Sequence, residues 1–372
     1  MAVGIHRPTV LTIDLEAIRY NVKTAKDHLQ NGAELFMVVK ANGYGHGLVQ
    51  TAMAAKEAGA TGFCVAILDE AIELRQSGFT DPILVLGITS PEYAHLMVEQ
   101  KIAAAVGSLD WLQQAERNLE GIPGQLLVHL AVDTGMGRIG FRETDDLMGA
   151  VDFLSKSQSL TFEGIFTHFA TADMKDNRYF QGQLSKWQAM TAELPELPKY
   201  VHISNSATTL WHHPLPGINM IRYGAAGYGL NPSGTELQPP FDLHPAMSLT
   251  SEIVFSKQIH AGDSVGYGAT YTAKQDEFVG TLPIGYADGY QRRLGGFYVL
   301  VDGQKCDILG RVCMDQIMIR LPKFYQPGTK VTLVGRNGSK EISLQDLADH
   351  LETNHYEIAC GFSDRITKKY VH

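Results

Sequence analysis

Four kinds of residue in this chain could do chemistry: a lysine directly after an apolar run, a histidine and arginines at the ends of others, and a tyrosine between glycines. Lys40 follows the run 35–39 and opens Lys40-Ala41-Asn42-Gly43-Tyr44-Gly45-His46-Gly47. A lysine whose stem is held by such a run is partly desolvated, which lowers its pKa from about 10.4 and frees a nucleophilic amine for a Schiff base. A solvated surface lysine is the bland alternative. Arg138 follows the run 126–132, His168 ends 164–168, Ser206 follows 200–204 and Arg222 ends 218–223. On one rim they form a cationic, hydrogen-bonding bowl suited to a ligand with phosphate and carboxylate groups. Gly224-Ala225-Ala226-Gly227 lets backbone N–H groups approach a phosphate, although a plain tight turn reads the same. Tyr267, in Gly266-Tyr267-Gly268, is either an exposed turn residue or a phenol acting as general acid and base.

Something must place these residues together. Eight short apolar runs, 35–39, 63–67, 83–86, 103–106, 126–132, 164–168, 200–204 and 218–223, alternate with helical patterns such as 48–58, 68–77, 91–99 and 176–194. That alternation predicts an α/β fold, an eight-stranded (β/α)8 TIM-like barrel followed by a β-rich C-terminal domain. An open six-stranded sheet is the alternative. In the barrel, the chemistry belongs at the C-terminal ends of the strands. The proline-rich stretch 231–245 reads as a linker. Beyond it lie strand-like runs at 251–259, 278–282, 298–301, 308–309, 316–320 and 330–334, and one helix at 343–351. The expected division is residues 1–12 as a strand joining the C-terminal domain, 13–240 as the barrel, and 241–372 as the β domain.

Composition narrows the class. Hydrophobic residues make up 44% and the formal net charge is −9, which disfavours disorder and nucleic-acid binding. No apolar run nears the roughly 18 residues of a membrane span, and no signal-peptide core opens the chain, so the expectation is a cytoplasmic protein. Four cysteines without a C-x-x-C pair predict reduced thiols. No metal motif occurs, and the expectation is no metal. Gly135-Met136-Gly137-Arg138-Ile139-Gly140 matches a dinucleotide fingerprint, but it sits mid-chain and Glu163 begins rather than ends the next run.

The Lys40–Gly47 segment resembles the pyridoxal-phosphate attachment segment of bacterial alanine racemases, which are of fold type III. Asp133-Thr134-Gly135-Met136-Gly137-Arg138, Thr167-His168-Phe169-Ala170, Asn205-Ser206-Ala207-Thr208 and Arg222-Tyr223-Gly224 recur in family order. So do Gly266-Tyr267-Gly268-Ala269, Pro283-Ile284-Gly285-Tyr286-Ala287-Asp288-Gly289-Tyr290 and Gly310-Arg311-Val312-Cys313-Met314-Asp315-Gln316, so that the resemblance covers nearly the whole chain.

The resemblance implies interconversion of L- and D-alanine for peptidoglycan by a cytoplasmic homodimer with shared active sites. It implies that Lys40 carries pyridoxal 5'-phosphate and that Tyr44, Ser206, Gly224, Ala225 and Tyr356 bind its phosphate. Arg222 faces the ring nitrogen, which keeps that nitrogen unprotonated and limits transamination. His168 sits against the ring and supports the partner's Tyr267. Arg138 contacts the cofactor's phenolic oxygen and the substrate carboxylate, which the Met314 backbone also receives. Tyr286 and Arg292 line the way in. Lys40 and Tyr267 are then the two bases. A phenol of pKa about 10 is about one part in a thousand ionised at pH 7; a cationic His168 and Arg222 offset that penalty.

Three departures stand out. Many relatives carry a carbamylated lysine seven positions before the arginine, where this chain has Ala131; a bound anion is the expected substitute. Gly43 and Ala225 are smaller than the residues often found there. The alternatives are a broader-specificity racemase, for serine among others, a basic amino-acid decarboxylase, and a non-catalytic pyridoxal-phosphate-binding protein. The decarboxylase is disfavoured by Arg222, and the binding protein by the second domain.

Overall fold

The computed structural model describes residues 2–29 and 32–372. The chain divides into two compact units: Ala17–Pro245, and the residues up to Glu16 joined to Ala246–His372.

The first unit is an eight-stranded sheet. Its strands are β1 (Glu34–Val38), β2 (Gly62–Val65), β3 (Ile83–Val85), β4 (Ile102–Val106), β5 (Leu126–Ala131), β6 (Leu160–Phe166), β7 (Tyr200–His202) and β8 (Met220–Tyr223). Neighbours from β1 to β7 pair in parallel and in sequence, and β8 pairs with β1. A parallel bridge between Ser204 and Ile221 closes the ring, and the Arg222 N–H donates to Ser204 O at 2.9 Å. This is the barrel that the run spacing predicts, not the open sheet. Its strands are apolar runs because helices cover one face and packed side chains fill the other. Phe36, Cys64, Leu84, Tyr200 and Met220 belong to one such packed layer. Gly62 is needed there, since a Cβ would lie 2.6 Å from the Phe36 ring.

Helices separate the strands, and several begin on side-chain caps. Ser108 accepts from Trp111 N, and Asn205 accepts from Thr208 N. The pattern read as one helix over 91–99 is a 3-10 turn, Pro91–Tyr93, followed by the helix Ala94–Glu99. The proline-rich stretch is tied down by Asn21, which bonds His244 through both backbone groups, and by Tyr20 stacked on the His244 ring. His212, just beyond the helix Ser206–Trp211, stacks on Phe180 with ring centroids 4.0 Å apart.

The second unit is built on a ten-stranded sheet. Val10–Asp14 lies between Met247–Glu252, antiparallel, and Thr367–Val371, parallel. The run 251–259 is two strands, Met247–Glu252 and Phe255–Ile259. Between them Ile253 N and Val254 N bond to Thr329 O and Thr281 O, so the chain leaves one strand pair for another without a glycine or proline to mark the change. Ser343 caps the helix Leu344–Leu351 in a capping box with Asp346.

Candidate active site

Lys40 begins a turn of unusual hand. Ala41, Asn42, Gly43 and Tyr44 all have φ between 52° and 61°, which winds the backbone left-handed. Each non-glycine residue there costs roughly 1–2 kcal/mol, so neighbours must hold the turn in place. Glu70 does so from the helix Leu68–Gln76. One carboxylate oxygen accepts the Ala41 N–H at 2.6 Å and the other accepts the Ala66 N–H at 2.8 Å. Asn42 Oδ1 accepts the Leu48 N–H at 2.9 Å and joins the turn to the helix Leu48–Glu57. Tyr228 packs on both Tyr44 and His46 and donates to Val38 O. The turn is thus fixed from three sides at the C-terminal end of β1.

Arg222, on β8, is 3% exposed. Its Nη1 donates to His202 O and to His202 Nδ1, and its Nη2 donates to Thr167 O at 2.8 Å. Burial pushes its pKa down to about 10, with the nearby Arg138 charge adding to the shift, so it stays cationic at neutral pH. Burial raises the Cys64 thiol to about 12 and keeps it neutral. His168 follows β6, its Nδ1 3.4 Å from Arg222 Nη2. Burial, then Arg222, Arg138 and Lys40, push its pKa to about 3. His168 is therefore neutral, and the cationic His168 expected from the sequence is corrected: burial, reinforced by three neighbouring cations, disfavours a fourth charge.

Ser206 Oγ accepts from Gly224 N at 2.9 Å and from Ala226 N at 3.3 Å. Gly224 brings the backbone close to Tyr44, since a Cβ there would press on Tyr44 Oη at 3.0 Å. Ala225 opens the buried 3-10 turn that follows. Tyr44, Ser206, Gly224 and Ala225 thus meet at one point on the rim.

Arg138 is exposed on the loop after β5. In that loop Asp133 accepts the N–H groups of Gly135 and Gly137, at 3.0 and 2.9 Å. The amides a dinucleotide phosphate needs are engaged, which removes the fingerprint reading. Ala131 packs with Ala105, Phe166 and Ile139. Ala131 itself therefore offers an anion neither charge nor hydrogen bond.

Two contributors were not legible in the sequence. Glu70 is one. Gln183, buried on the helix Arg178–Thr191, is the other: it donates to Thr134 Oγ1 and His168 O and accepts from Ala170 N, so it joins the loops carrying Arg138 and His168. Its only sequence signal is a polar residue among the apolar positions of a helix.

The remaining predicted residues belong to the other unit. Tyr267 is 70% exposed at the tip of the hairpin formed by Ser264–Val265 and Tyr271–Thr272. The hairpin base is clamped by Tyr271, Glu277 and Arg320, which bond to one another. Met314 O accepts the Ala287 N–H and Cys313 O accepts the Tyr286 N–H, both at 3.0 Å. Gly285 permits that approach, since a Cβ would lie 2.3 Å from Cys313 O. Asp288 is fully buried, accepts from Gly285 N and takes both guanidinium nitrogens of Arg7. Tyr286 and Met314 are exposed beside this anchored base. Arg292 is exposed on a 3-10 turn, and Tyr356 is half-buried on the helix His355–Gly361.

Family models agree with this architecture along the chain. The alanine racemase N-terminal domain matches residues 13–232, and the alanine racemase C-terminal domain matches 246–370. An alanine racemase from Levilactobacillus brevis is 61% identical, with 100% of both chains covered. The crystal structure of alanine racemase from E. faecalis superposes with a TM-score of 0.98 at 53% identity, again with 100% of both chains covered. A histidine racemase from Leuconostoc mesenteroides also matches, with a TM-score of 0.94, 38% identity and 100% of both chains covered. No helix among the described residues is long and apolar enough to cross a membrane. The chain belongs to the alanine racemase family.

Proposed function

We propose that this protein interconverts L- and D-alanine with pyridoxal phosphate held on Lys40. The observation that carries the proposal is the rim itself: Lys40 opens a pinned left-handed turn in the same barrel mouth as Arg222 and the Tyr44–Ser206–Gly224 cradle.

The residues present fit that coenzyme. The cradle that a Cβ at Gly224 would fill offers hydroxyls to a phosphate, and Arg222 and Arg138 supply positive charge. When bound, pyridoxal phosphate withdraws the electron pair left at Cα as a proton departs. The protein does the rest. Lys40 Nζ takes or returns the Cα proton on one face, and the partner subunit's Tyr267 does so on the other. Arg222, a buried donor that holds its own protons, presents positive charge to the coenzyme's ring nitrogen without giving a proton to it. Arg138 and the Met314 backbone orient the substrate carboxylate. Tyr356 completes the phosphate site, and Tyr286 and Arg292 line access to it. The exposure of Tyr267 supports a homodimer in which each subunit lends a base to the other.

The reading places the enzyme in the cytoplasm, where D-alanine feeds peptidoglycan assembly and free thiols such as those of Cys64 and Cys306 stay reduced. Full-length relatives named alanine racemase at high identity favour alanine over a broader substrate range. The test is solvent-deuterium exchange into each alanine enantiomer by wild type, Lys40→Ala and Tyr267→Phe. Each variant loses exchange mainly from one enantiomer. Equal residual exchange from both enantiomers in Tyr267→Phe contradicts the two-base assignment. Rates with alanine, serine and lysine check specificity.

A further inference from the structure

Beneath Arg222 a line of hydrogen bonds runs through the barrel interior. Arg222 Nη1 donates to His202 Nδ1 at 2.7 Å. His202 Nε2 lies 2.8 Å from His129 Nδ1, and His129 Nε2 lies 3.2 Å from Glu163 Oε2. Lys199 Nζ stands 3.6 Å from the other Glu163 oxygen. His129 and Glu163 also line a cavity of about 180 Å³ shared with Arg75, Asp81 and Lys101, away from the strand ends that carry Lys40 and His168.

The direction of every bond is determined. A guanidinium only donates, so His202 Nδ1 accepts. The single proton of a neutral His202 is then on Nε2 and is donated to His129 Nδ1. His129 in turn carries its proton on Nε2 and donates it to Glu163. Burial holds both imidazoles neutral: desolvation lowers each and, at His129, outweighs the Glu163 carboxylate, which raises it, while the Arg222 charge adds to the lowering of both. Burial raises the Glu163 carboxyl, but His129 and Lys199 outweigh it and hold it below its ordinary range. A carboxylate thus polarises two neutral rings in series toward Arg222.

The backbone is built around this line. Val128 pairs with Phe162 but His129 pairs with Gly164, so Glu163 is the extra residue of a β-bulge in β6. Gly164 makes room for the ring, since a Cβ there would lie 2.2 Å from His129 Nδ1. Phe166 stacks on His202, with centroids 5.0 Å apart, and lies beneath the Arg222 guanidinium.

We infer that Glu163 and His129 are positioning residues: through His202 they fix the Arg222 guanidinium in one orientation and so set how the enzyme divides its turnovers between racemisation and transamination. This rests on the reading above that Arg222 faces the coenzyme's ring nitrogen. With Arg222 fixed, that nitrogen stays unprotonated and the electron sink is weak. A loosened Arg222 admits a proton there and strengthens the sink. More alanine then transaminates: the Cα proton moves to the coenzyme's carbonyl-derived carbon, water hydrolyses the C=N bond, pyruvate leaves and the amino group stays on the coenzyme.

The test uses the holoenzyme and the variants Glu163→Gln and His129→Gln. Racemisation turnovers are counted per pyruvate released, alongside KM for alanine and the melting temperature. Glu163→Gln keeps an acceptor but removes the charge; its turnover ratio falls about tenfold, as for a small misplacement of a catalytic group, while KM for alanine stays near wild type. Glu163→Asp restores part of the ratio. Folded Glu163→Gln and His129→Gln with the wild-type ratio overturn the inference. A second measurement needs neither activity nor variants: 15N NMR of the histidine rings in the coenzyme-free protein. Neutral Nε2–H forms of His129 and His202 at pH 7 support the relay. An Nδ1–H or doubly protonated ring at either position overturns it. A wild type that does not racemise alanine overturns the proposed function instead, and the ring spectra still decide the relay.

Discussion

The Glu70 carboxylate holds the Ala41 N–H at 2.6 Å, so the first residue of the left-handed turn hangs from the start of the helix Leu68–Gln76. Glu70 also accepts from Ala66 N and Ile67 N, and one side chain therefore ties the end of β1 to the end of β2. Lys40 is thus positioned through the backbone of the residue that follows it.

Glu70→Ala leaves those N–H groups without their acceptor. The expected loss is about 2 kcal/mol of folding stability, with weaker coenzyme binding. Glu70→Gln, which keeps an oxygen acceptor, loses less. Urea unfolding and an absorbance titration with pyridoxal phosphate measure the two effects. Wild-type stability in Glu70→Ala contradicts the anchoring role.

Gly224→Ala puts a methyl 3.0 Å from Tyr44 Oη and shifts that hydroxyl off its place in the cradle. Losing one hydrogen bond to a charged group costs about 1.5–3 kcal/mol, which is roughly ten- to a hundredfold in coenzyme affinity. Excess coenzyme restores most of the rate. Fluorescence titration reads the affinity; an unchanged dissociation constant places the phosphate elsewhere.

Acid weakens the coenzyme-free fold through its buried histidines. His129 and His202 are depressed below the ordinary histidine value, and His168 lies at about 3. Below about pH 6.5 the unfolded chain takes up protons that the folded chain refuses, so unfolding free energy falls as pH falls. Each group contributes up to about 1.4 kcal/mol per pH unit, or about 4 for the three together. The Glu163 contribution has the same sign but begins only lower, in the carboxylate range. Urea midpoints at pH 7, 6 and 5 should drop progressively, and His168→Gln should flatten the slope. A level profile down to pH 5 contradicts the neutral, buried assignment.

Arg7→Ala takes two guanidinium hydrogen bonds from the fully buried Asp288 carboxylate, which is left with the Gly285 N–H and with Arg365 3.7 Å away. Removing one member of a buried pair costs about 3 kcal/mol. Arg7→Lys keeps the charge but not the forked geometry and loses less. Thermal melting distinguishes the two, and a melting point unchanged in Arg7→Ala rules out a stabilising role for the pair.

The barrel was legible because its strands are buried on both faces and read as apolar runs between turn signals. Lys40, His168, Ser206 and Arg222 were legible because each closes or follows such a run. The relay was not. His129 lies inside an apolar run and His202 inside another, where a polar residue reads as a lapse in the pattern, and the bulge at Glu163 breaks the alternation that reveals which way a side chain points. The left-handed turn was illegible for another reason: only Asn42 and Gly43 among its residues favour positive φ, whereas Ala41 and Tyr44 adopt it under tertiary constraint. The bend at Ile253 lacks turn chemistry altogether, so two strands read as one.

Strand Val10–Asp14 pairs on one side with Met247–Glu252 and on the other with Thr367–Val371. Ribosomes deliver the chain from its N-terminus. All eight barrel strands have emerged by Tyr223, while the first strand waits without either sheet neighbour. Its parallel neighbour, Thr367–Val371, is made long after the barrel strands, so an emerging chain can close the coenzyme-binding barrel well before it can seal its other unit. A premature stop that removes the last strand leaves Val10–Asp14 as an open sheet edge, a template for self-association.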